Sequence, residues 1–375
     1  MKMKVFICYS TAGEGHKKIA EAIEEELKTH PDLFSVLGFN AFDYVGDLFR
    51  ESYPAVYFYA VKYIPKLWGI LYEATDCPVV NRFVRPLRSL WNRIQSKKLR
   101  EFVIREKPDL IISTHFFAAE VLASSKKRGE ISSQLMTVIT DVMPHSFWMN
   151  NGTDLYWVMA EESKQALLKR KISENQIKVG GIPIKKEFTR EEDKSELLCK
   201  LGIMPERFNI LFSSGSFGIG PTKKWLEELN EFGSQLQVLV VCGKNRTLYE
   251  SLENQKYSFP IILMGFVNNM HELMSVSDLL IAKSGGATTC ESLAKNLPML
   301  ISAPIPGQET RNAEWLLRHQ ASYEIKFPGE LKKLLAMILN NPGFLLTMKE
   351  NIHAIAKPKA SKDLVNYVIS SHDRK

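Results

Sequence analysis

The first group of residues with chemical potential is Ser-Thr-Ala-Gly-Glu-Gly-His at 10–16, between the apolar run KVFICYS and the helical pattern KKIAEAI. Two glycines and a histidine on a strand-to-helix corner fit three descriptions: a phosphate cradle, a catalytic corner, or a tight turn. A neutral imidazole with a pKa of about 6.5 can take a proton at neutral pH, so the second description makes His16 a general base. Further along, SSGSFGIGP (213–221) and KSGGATTCESLAKNLP (283–298) each place glycines between an apolar run and a helical pattern. Glycines let backbone N–H groups converge on an anion, and the helix N-terminus adds partial positive charge. In the second loop Ser284, Gly285, Gly286, Ala287 and Thr288 offer amides and hydroxyls to a diphosphate, with Lys283 or Arg311 as added cations. IPGQETRN (305–312) brings Gln308, Glu309 and Asn312, a carboxylate and two amides able to hold the hydroxyls of a ribose or a hexose.

Other chemistries lack their motifs. The sequence has no Asp-x-Asp, no HExxH and no GxxxxGK[ST] P-loop, so a metal site is not expected and no cofactor is implied. No GxGxxG follows the first apolar run, which disfavours dinucleotide binding.

The elements that must carry these loops are legible as short apolar, β-branched runs alternating with amphipathic helices. Runs fall at 4–10, 109–115, 135–141, 155–160 and 177–183, then at 209–216, 237–243, 261–267, 278–285 and 298–305. Continuously apolar strands interleaved with helices predict parallel sheets covered on both faces. The charged, strand-free stretch 185–203 divides the chain, giving an N-terminal Rossmann-like domain at 1–190 and a C-terminal one at 205–375, whose last helices can cross back. Two doubly wound domains of this kind bind ligands at the carboxyl ends of their strands, in a central cleft.

The 375 residues suffice for two cores, and a net charge of +7 favours anionic partners without specifying them. Five scattered cysteines without a CxxC pair suit a reducing compartment. The basic, apolar start reads as a strand, not a signal peptide, and no run reaches the roughly 20 apolar residues of a spanning helix.

Residues 50–107 interrupt the alternation. The stretch 50–72 holds seven aromatics, Trp68 among them, and 82–107 holds nine basic residues against two acidic ones. On one helix over 82–107, Leu87, Leu90, Trp91, Ile94, Phe102 and Val103 share a face, while Arg88, Arg93, Lys97, Lys98 and Arg100 lie mostly on others. Such a helix either lies in an anionic bilayer interface or covers the domain with a solvated basic face. Nucleic acid is not expected, since no binding module accompanies the charge.

In this order, STAGEGH (10–16), VITDVMPHSFW (138–148), 154–184, 265–300 and PIPGQETRNAEWL (304–316) resemble the glycolipid-forming GT-B glycosyltransferases, a group that includes the monogalactosyldiacylglycerol synthases, the processive diacylglycerol glucosyltransferases and their MurG-type relatives. The resemblance implies an α/β fold of two Rossmann-like domains and inverting, metal-independent transfer of a hexose from UDP-glucose or UDP-galactose to diacylglycerol. It implies a peripheral enzyme on the cytoplasmic face of the membrane. It assigns Phe266 and Val267 to the uracil ring, Ser216 and Gly218 with 284–288 to the phosphates, Glu291 to the ribose, and Gln308, Glu309 and Asn312 to sugar and ribose. His16 becomes the base candidate, with Asp141 orienting it or acting in its place. Gly15, His145, Trp148, Trp68, Arg88, Trp91 and Arg93 fall to the acceptor and the membrane. Two departures stand out: Lys283-Ser284-Gly285-Gly286 replaces the usual Lys-Pro-Gly-Gly, and 213–220 is richer in serine than usual. The competing expectations are a MurG-like transferase onto a polyprenyl-linked acceptor, a UDP-sugar epimerase of the same fold, and a non-catalytic binder of nucleotide sugar or lipid.

Overall fold

The computed structural model describes residues 2–11 and 13–372. It divides into two compact units. One contains the residues up to Lys186, Ile305–Arg311 and the residues from Lys357 on; the other contains Glu187–Pro304 and Asn312–Ala356.

The first unit is built on β1 (Met3–Tyr9), α1 (Glu14–Leu27), β2 (Phe34–Asn40), four consecutive helices α2 (Asp47–Tyr63), α3 (Pro65–Asp76), α4 (Pro78–Gln95) and α5 (Lys97–Glu106), then β3 (Leu110–Ser113), α6 (Phe116–Lys127), β4 (Gln134–Val138), β5 (Leu155–Val158), α7 (Glu161–Lys169) and β6 (Ile177–Val179). Its six parallel strands run in the order β2-β1-β3-β4-β5-β6. The second unit follows with α8 (Lys194–Leu201), β7 (Phe208–Ser213), α9 (Thr222–Leu229), β8 (Leu236–Val241), α10 (Arg246–Glu253), β9 (Ile261–Met264), α11 (Met270–Val276), β10 (Leu279–Ala282), α12 (Gly286–Ala294), β11 (Met299–Ser302), α13 (Gln308–Arg318, its first turn to Arg311 counted with the first unit), β12 (Ser322–Ile325), α14 (Glu330–Asn340) and α15 (Pro342–Ile355). Its parallel order is β12-β11-β10-β7-β8-β9. The expected pair of doubly wound α/β domains is therefore the observed architecture. The two strands that the sequence reading left out, β2 and β12, both lie at sheet edges.

The final helix, α16 (Ala360–His372), returns to the first unit. It packs on α1, Ser361 Oγ donates to the Ile184 carbonyl at 2.6 Å, and the Tyr367 ring lies 6.0 Å from Trp157. Gly181 admits it: at a φ of 88° a Cβ there would lie 2.4 Å from Lys357 Cβ.

The stretch 82–107 is two helices, broken at the buried Ser96. In α5, Leu99, Phe102 and Val103 enter the core, where Phe102 stacks on Phe6 at 5.4 Å and meets Phe39 edge-on at 5.3 Å. In α4 the polarity is reversed. Its buried residue is Asn92, at 7% exposure, whereas Phe83 (72%), Leu87 (73%), Leu90, Trp91 (55%) and Ile94 face solvent. α3 repeats this pattern, burying Asp76 while Leu67, Ile70 and Leu71 are exposed. The single apolar face expected across 87–103 is thus divided: its first half faces solvent and its second half is core. Among the described residues, no helix is long and apolar enough to cross a membrane.

Candidate active site

In each sheet, the strand order reverses direction at one place, and ligand crevices in such sheets form there at the strand carboxyl ends. In the first unit this switch lies between β1 and β3, where Cys8 pairs with Ser113. His16, in the first turn of α1, follows β1; Thr114 follows β3; Thr140 follows the next strand, β4. Three strand ends bring these residues together. His16 Nδ1 lies 2.9 Å from the Thr114 carbonyl and 3.0 Å from Thr140 Oγ1. A carbonyl only accepts, so Nδ1 carries the proton and Nε2 keeps its lone pair, with no hydrogen-bond partner among the described residues. Burial pushes the His16 pKa down to about 4, against the opposing pull of the Thr114 bond, so the ring is neutral at neutral pH. A Cβ built on Gly13 would meet no atom within 4 Å, so the backbone before His16 borders open space.

Asp141 lies on the loop after β4. Its Oδ2 accepts the Trp148 Nε1 proton at 2.9 Å. Burial raises its pKa to about 6, against the Trp148 bond and the Arg311 charge, which both lower it. Trp148, 1% exposed, stands among Ile139, Tyr156 and Val158 in a core cluster, with its ring 6.2 Å from His16. It therefore cannot touch a membrane, and the expected lipid contact is replaced by support of Asp141. His145 is corrected in the same way. Its Nδ1 accepts from Phe147 N at 3.1 Å, so Nε2 carries the proton and donates to the Tyr72 carbonyl at 2.9 Å. With both nitrogens engaged and the ring buried, His145 fastens its loop to α3 and is not a headgroup ligand.

Arg88 also departs from its assignment to the membrane. It gives a forked bond to Glu120 (3.0 and 3.3 Å), joined there by Asn92 at 2.9 Å, and lies 3.7 Å over the Phe147 ring. Trp91 and Arg93 are exposed, and Trp68 meets Tyr57 edge-on at 5.3 Å.

Sequence reading missed the polar cluster at the end of α3. Asp76 receives Arg170 through both oxygens at 2.7 Å, Ser146 N at 2.7 Å and Arg311 at 2.8 Å. Burial alone would raise its pKa, yet these donors hold its carboxyl well below the usual range. Arg311 also pairs with Glu73 at 2.5 Å, so in this structure the anions it neutralises belong to the protein. Thr114 and Thr140 left no sequence signal.

In the second unit the switch lies between β7 and β10, and both glycine loops border it. Gly218, at a φ of 59°, is wedged where a Cβ would lie 2.4 Å from the Cys242 carbonyl, and Asn245 Nδ2 donates to its carbonyl at 2.9 Å. Ser216 is half-buried beside it, and its carbonyl accepts Lys244 N at 3.0 Å. Across the switch, Gly285 caps α12, so the amides of Gly286, Ala287 and Thr288 form its first turn. Ser284 is buried; its carbonyl accepts Asn312 Nδ2 at 2.9 Å. Glu291 is buried on α12. Phe266 and Val267 follow the edge strand β9, with Phe266 exposed beneath Lys244 Nζ at 5.5 Å. Ala303, just after β11, holds a φ of 46°, strain of the kind found at functional loops. In the 305–311 segment, Glu309 Oε2 accepts Ile305 N at 2.7 Å while Gln308 is half-exposed. Among the described residues, no three His, Cys, Asp or Glu side chains gather as a metal site.

The family model described as "Monogalactosyldiacylglycerol (MGDG) synthase" matches residues 16–184, and "Glycosyltransferase family 28 C-terminal domain" matches residues 220–364. Processive diacylglycerol β-glucosyltransferases of Staphylococcus saprophyticus and Bacillus pumilus are 28% and 27% identical, over 98% and 99% of this chain and 94% and 95% of theirs. Among solved structures, Acinetobacter baumannii MurG superposes with a TM-score of 0.63 at 13% identity, covering 98% of this chain and 99% of that one. A Staphylococcus aureus MnaA–UDP structure gives 0.63 at 13% identity, covering 100% and 97%. With a family match on each half and relatives along its length, the chain belongs to the glycolipid-forming GT-B glycosyltransferases and is a UDP-sugar-dependent enzyme of that family.

Proposed function

We propose that the protein transfers a hexose from UDP-glucose or UDP-galactose to diacylglycerol, with inversion at the anomeric carbon and without a metal ion. The observation that carries this reading is the His16 tautomer: its Nδ1 proton is committed to Thr114, and the Nε2 lone pair remains for a substrate proton. In the transfer, the acceptor oxygen forms its bond to the anomeric carbon as the bond from that carbon to the diphosphate breaks. The hydroxyl proton passes to Nε2, and the bonding electrons leave with UDP. Asp141 supplies negative charge that favours the imidazolium. Amides at 285–288 and the α12 N-terminus receive the charge developing on the diphosphate. Gln308, Glu309 and Asn312 read the sugar and ribose, Phe266 and Val267 hold the uracil, and Glu291 meets the ribose. The names of the relatives, glucosyltransferases acting on diacylglycerol, weigh toward glucose and that lipid.

The reversed polarity of α3 and α4 supports a lipid surface as the place of work. Apolar side chains of α4 face outward around the exposed Trp91, with Arg82, Arg93, Lys97 and Lys98 also exposed nearby. This composition suits insertion into an anionic bilayer interface, and we assign it to the cytoplasmic leaflet. The test is incubation with UDP-glucose or UDP-galactose and vesicles containing diacylglycerol, with products read by mass spectrometry. Hexosyl-diacylglycerol from either donor supports the proposal; UDP binding with no donor consumed makes the protein a binding module.

A further inference from the structure

We propose that α3 is a brace that sets the position of the 305–311 segment, making Gly69 and the Asp76–Arg311 pair positioning residues for recognition of the donor sugar. This rests on the reading of Gln308 and Glu309 as sugar-reading residues.

Gly69, Tyr72, Glu73 and Asp76 follow the i, i+3, i+4, i+7 spacing of one helix face, and each meets the segment in order. Pro306 lies against Gly69 so closely that a Cβ built there would be 2.7 Å from Pro306 Cβ. Gly307, at a φ of 98°, lies flat on the Tyr72 ring, where a Cβ would again fall within 2.7 Å. Arg311 stands 5.2 Å over the same ring and forks onto Glu73, while its Nη2 reaches Asp76 at 2.8 Å. Within the segment, Glu309 Oε2 holds Ile305 N at 2.7 Å, Thr310 N and Oγ1 donate to the Ile305 carbonyl at 3.3 and 3.4 Å, and Arg311 N donates to the Gly307 carbonyl at 3.1 Å. To these bonds α3 adds contacts at Pro306, Gly307 and Arg311, so its side chains help to set where the segment lies. The same end of α3 holds the loop of Asp141, through Ser146 N on Asp76 and His145 on the Tyr72 carbonyl. One carboxylate thus secures the segment of the sugar-reading residues and the loop of the acidic catalytic candidate.

Gly69→Ala separates a brace from ordinary helix structure. In a helix interior this change normally stabilises, yet here the added methyl must displace Pro306. The expected result is an unchanged or higher melting temperature, a KM for UDP-sugar raised roughly tenfold, and unchanged affinity for UDP, which has no sugar to read. Arg311→Lys keeps the charge but loses the fork across Glu73 and Asp76, and the same rise in donor KM is expected with acceptor KM unchanged. If donor KM stays at the wild-type value in both variants, the brace is overturned. Gln308→Ala reports separately on the underlying reading: an unchanged donor KM there removes Gln308 from sugar recognition, whatever the two brace variants do. A raised donor KM in Gln308→Ala alone keeps the reading and discards the brace.

Discussion

The indole of Trp148 donates its proton to Asp141 at 2.9 Å, while the same ring lies 6.2 Å from the imidazole of His16. A residue of the buried core therefore links the two candidates for proton handling. Its hydrogen bond favours the ionised carboxylate, against the burial that favours the neutral one.

Trp148→Phe removes that bond. The Asp141 pKa then moves upward from about 6, and the acidic limb of the pH profile of kcat/KM moves with it to higher pH. Activity is full where Asp141 is ionised and falls as pH drops through its pKa. An acidic limb that stays at its wild-type position would show that the ionisation of Asp141 does not govern the rate.

His16→Ala is expected to retain UDP binding, measured by calorimetry, and to lose turnover by roughly 10²–10⁴-fold, the usual contribution of a positioned general base. Normal turnover in this variant removes His16 from the mechanism.

Asp141→Asn tests the buried carboxyl through stability. The folded pKa of Asp141, about 6, exceeds its ordinary value of 3.8, so the native state holds the proton more tightly and stability falls as pH rises across that interval. The variant lacks this loss. Its stability relative to wild type should therefore grow between about pH 3 and pH 7, approaching roughly 3 kcal/mol at 1.36 kcal/mol per pKa unit, read from denaturant midpoints. A flat difference contradicts the raised pKa.

Two substitutions on α4 should part company. Trp91→Glu, on the outward apolar face, is expected to weaken sedimentation with anionic diacylglycerol vesicles while the fold melts normally. Arg88→Ala strands Glu120, which is 4% exposed, and should cost about 3–5 kcal/mol of stability, the usual penalty for an unpaired buried charge. If Trp91→Glu binds vesicles as well as wild type, the outward face serves something other than lipid.

Transfer in excess EDTA is expected to proceed at the rate measured without it, because amides and the α12 N-terminus carry the phosphate charge in the proposed reaction. A loss restored by Mg²⁺ would place a metal in the donor complex.

The sequence disclosed the central strands because they are covered on both faces and read as unbroken apolar runs. β2 and β12 escaped because polar or exposed residues interrupt their apolar pattern: β2, Phe-Ser-Val-Leu-Gly-Phe-Asn, leaves Leu37 exposed, and β12 is the four residues Ser-Tyr-Glu-Ile. The break at Ser96 was invisible because α4 and α5 keep one apolar phase while packing in opposite senses. At the site, glycine loops announced His16 and the 283–288 turn. Thr114 and Thr140 reach His16 from about a hundred residues away or more, and only the strand order β1-β3-β4 makes them neighbours. Asp76 and Asn92 were hidden by the assumption that the apolar side of a helix is its buried side.

The return of α16 to α1 has a consequence for biosynthesis. The unit that contains residue 2 is closed by residues 357–372, so it stays incomplete on the ribosome until those residues, beyond the entire second unit, have emerged. A nascent chain stopped before residue 357 would leave Ile184 without the Ser361 bond and the turn at Gly181 uncovered. Truncations that remove α16 should therefore be recognised in the cell by chaperones and proteases as failures of the first domain, although the missing residues are translated after the whole of the second.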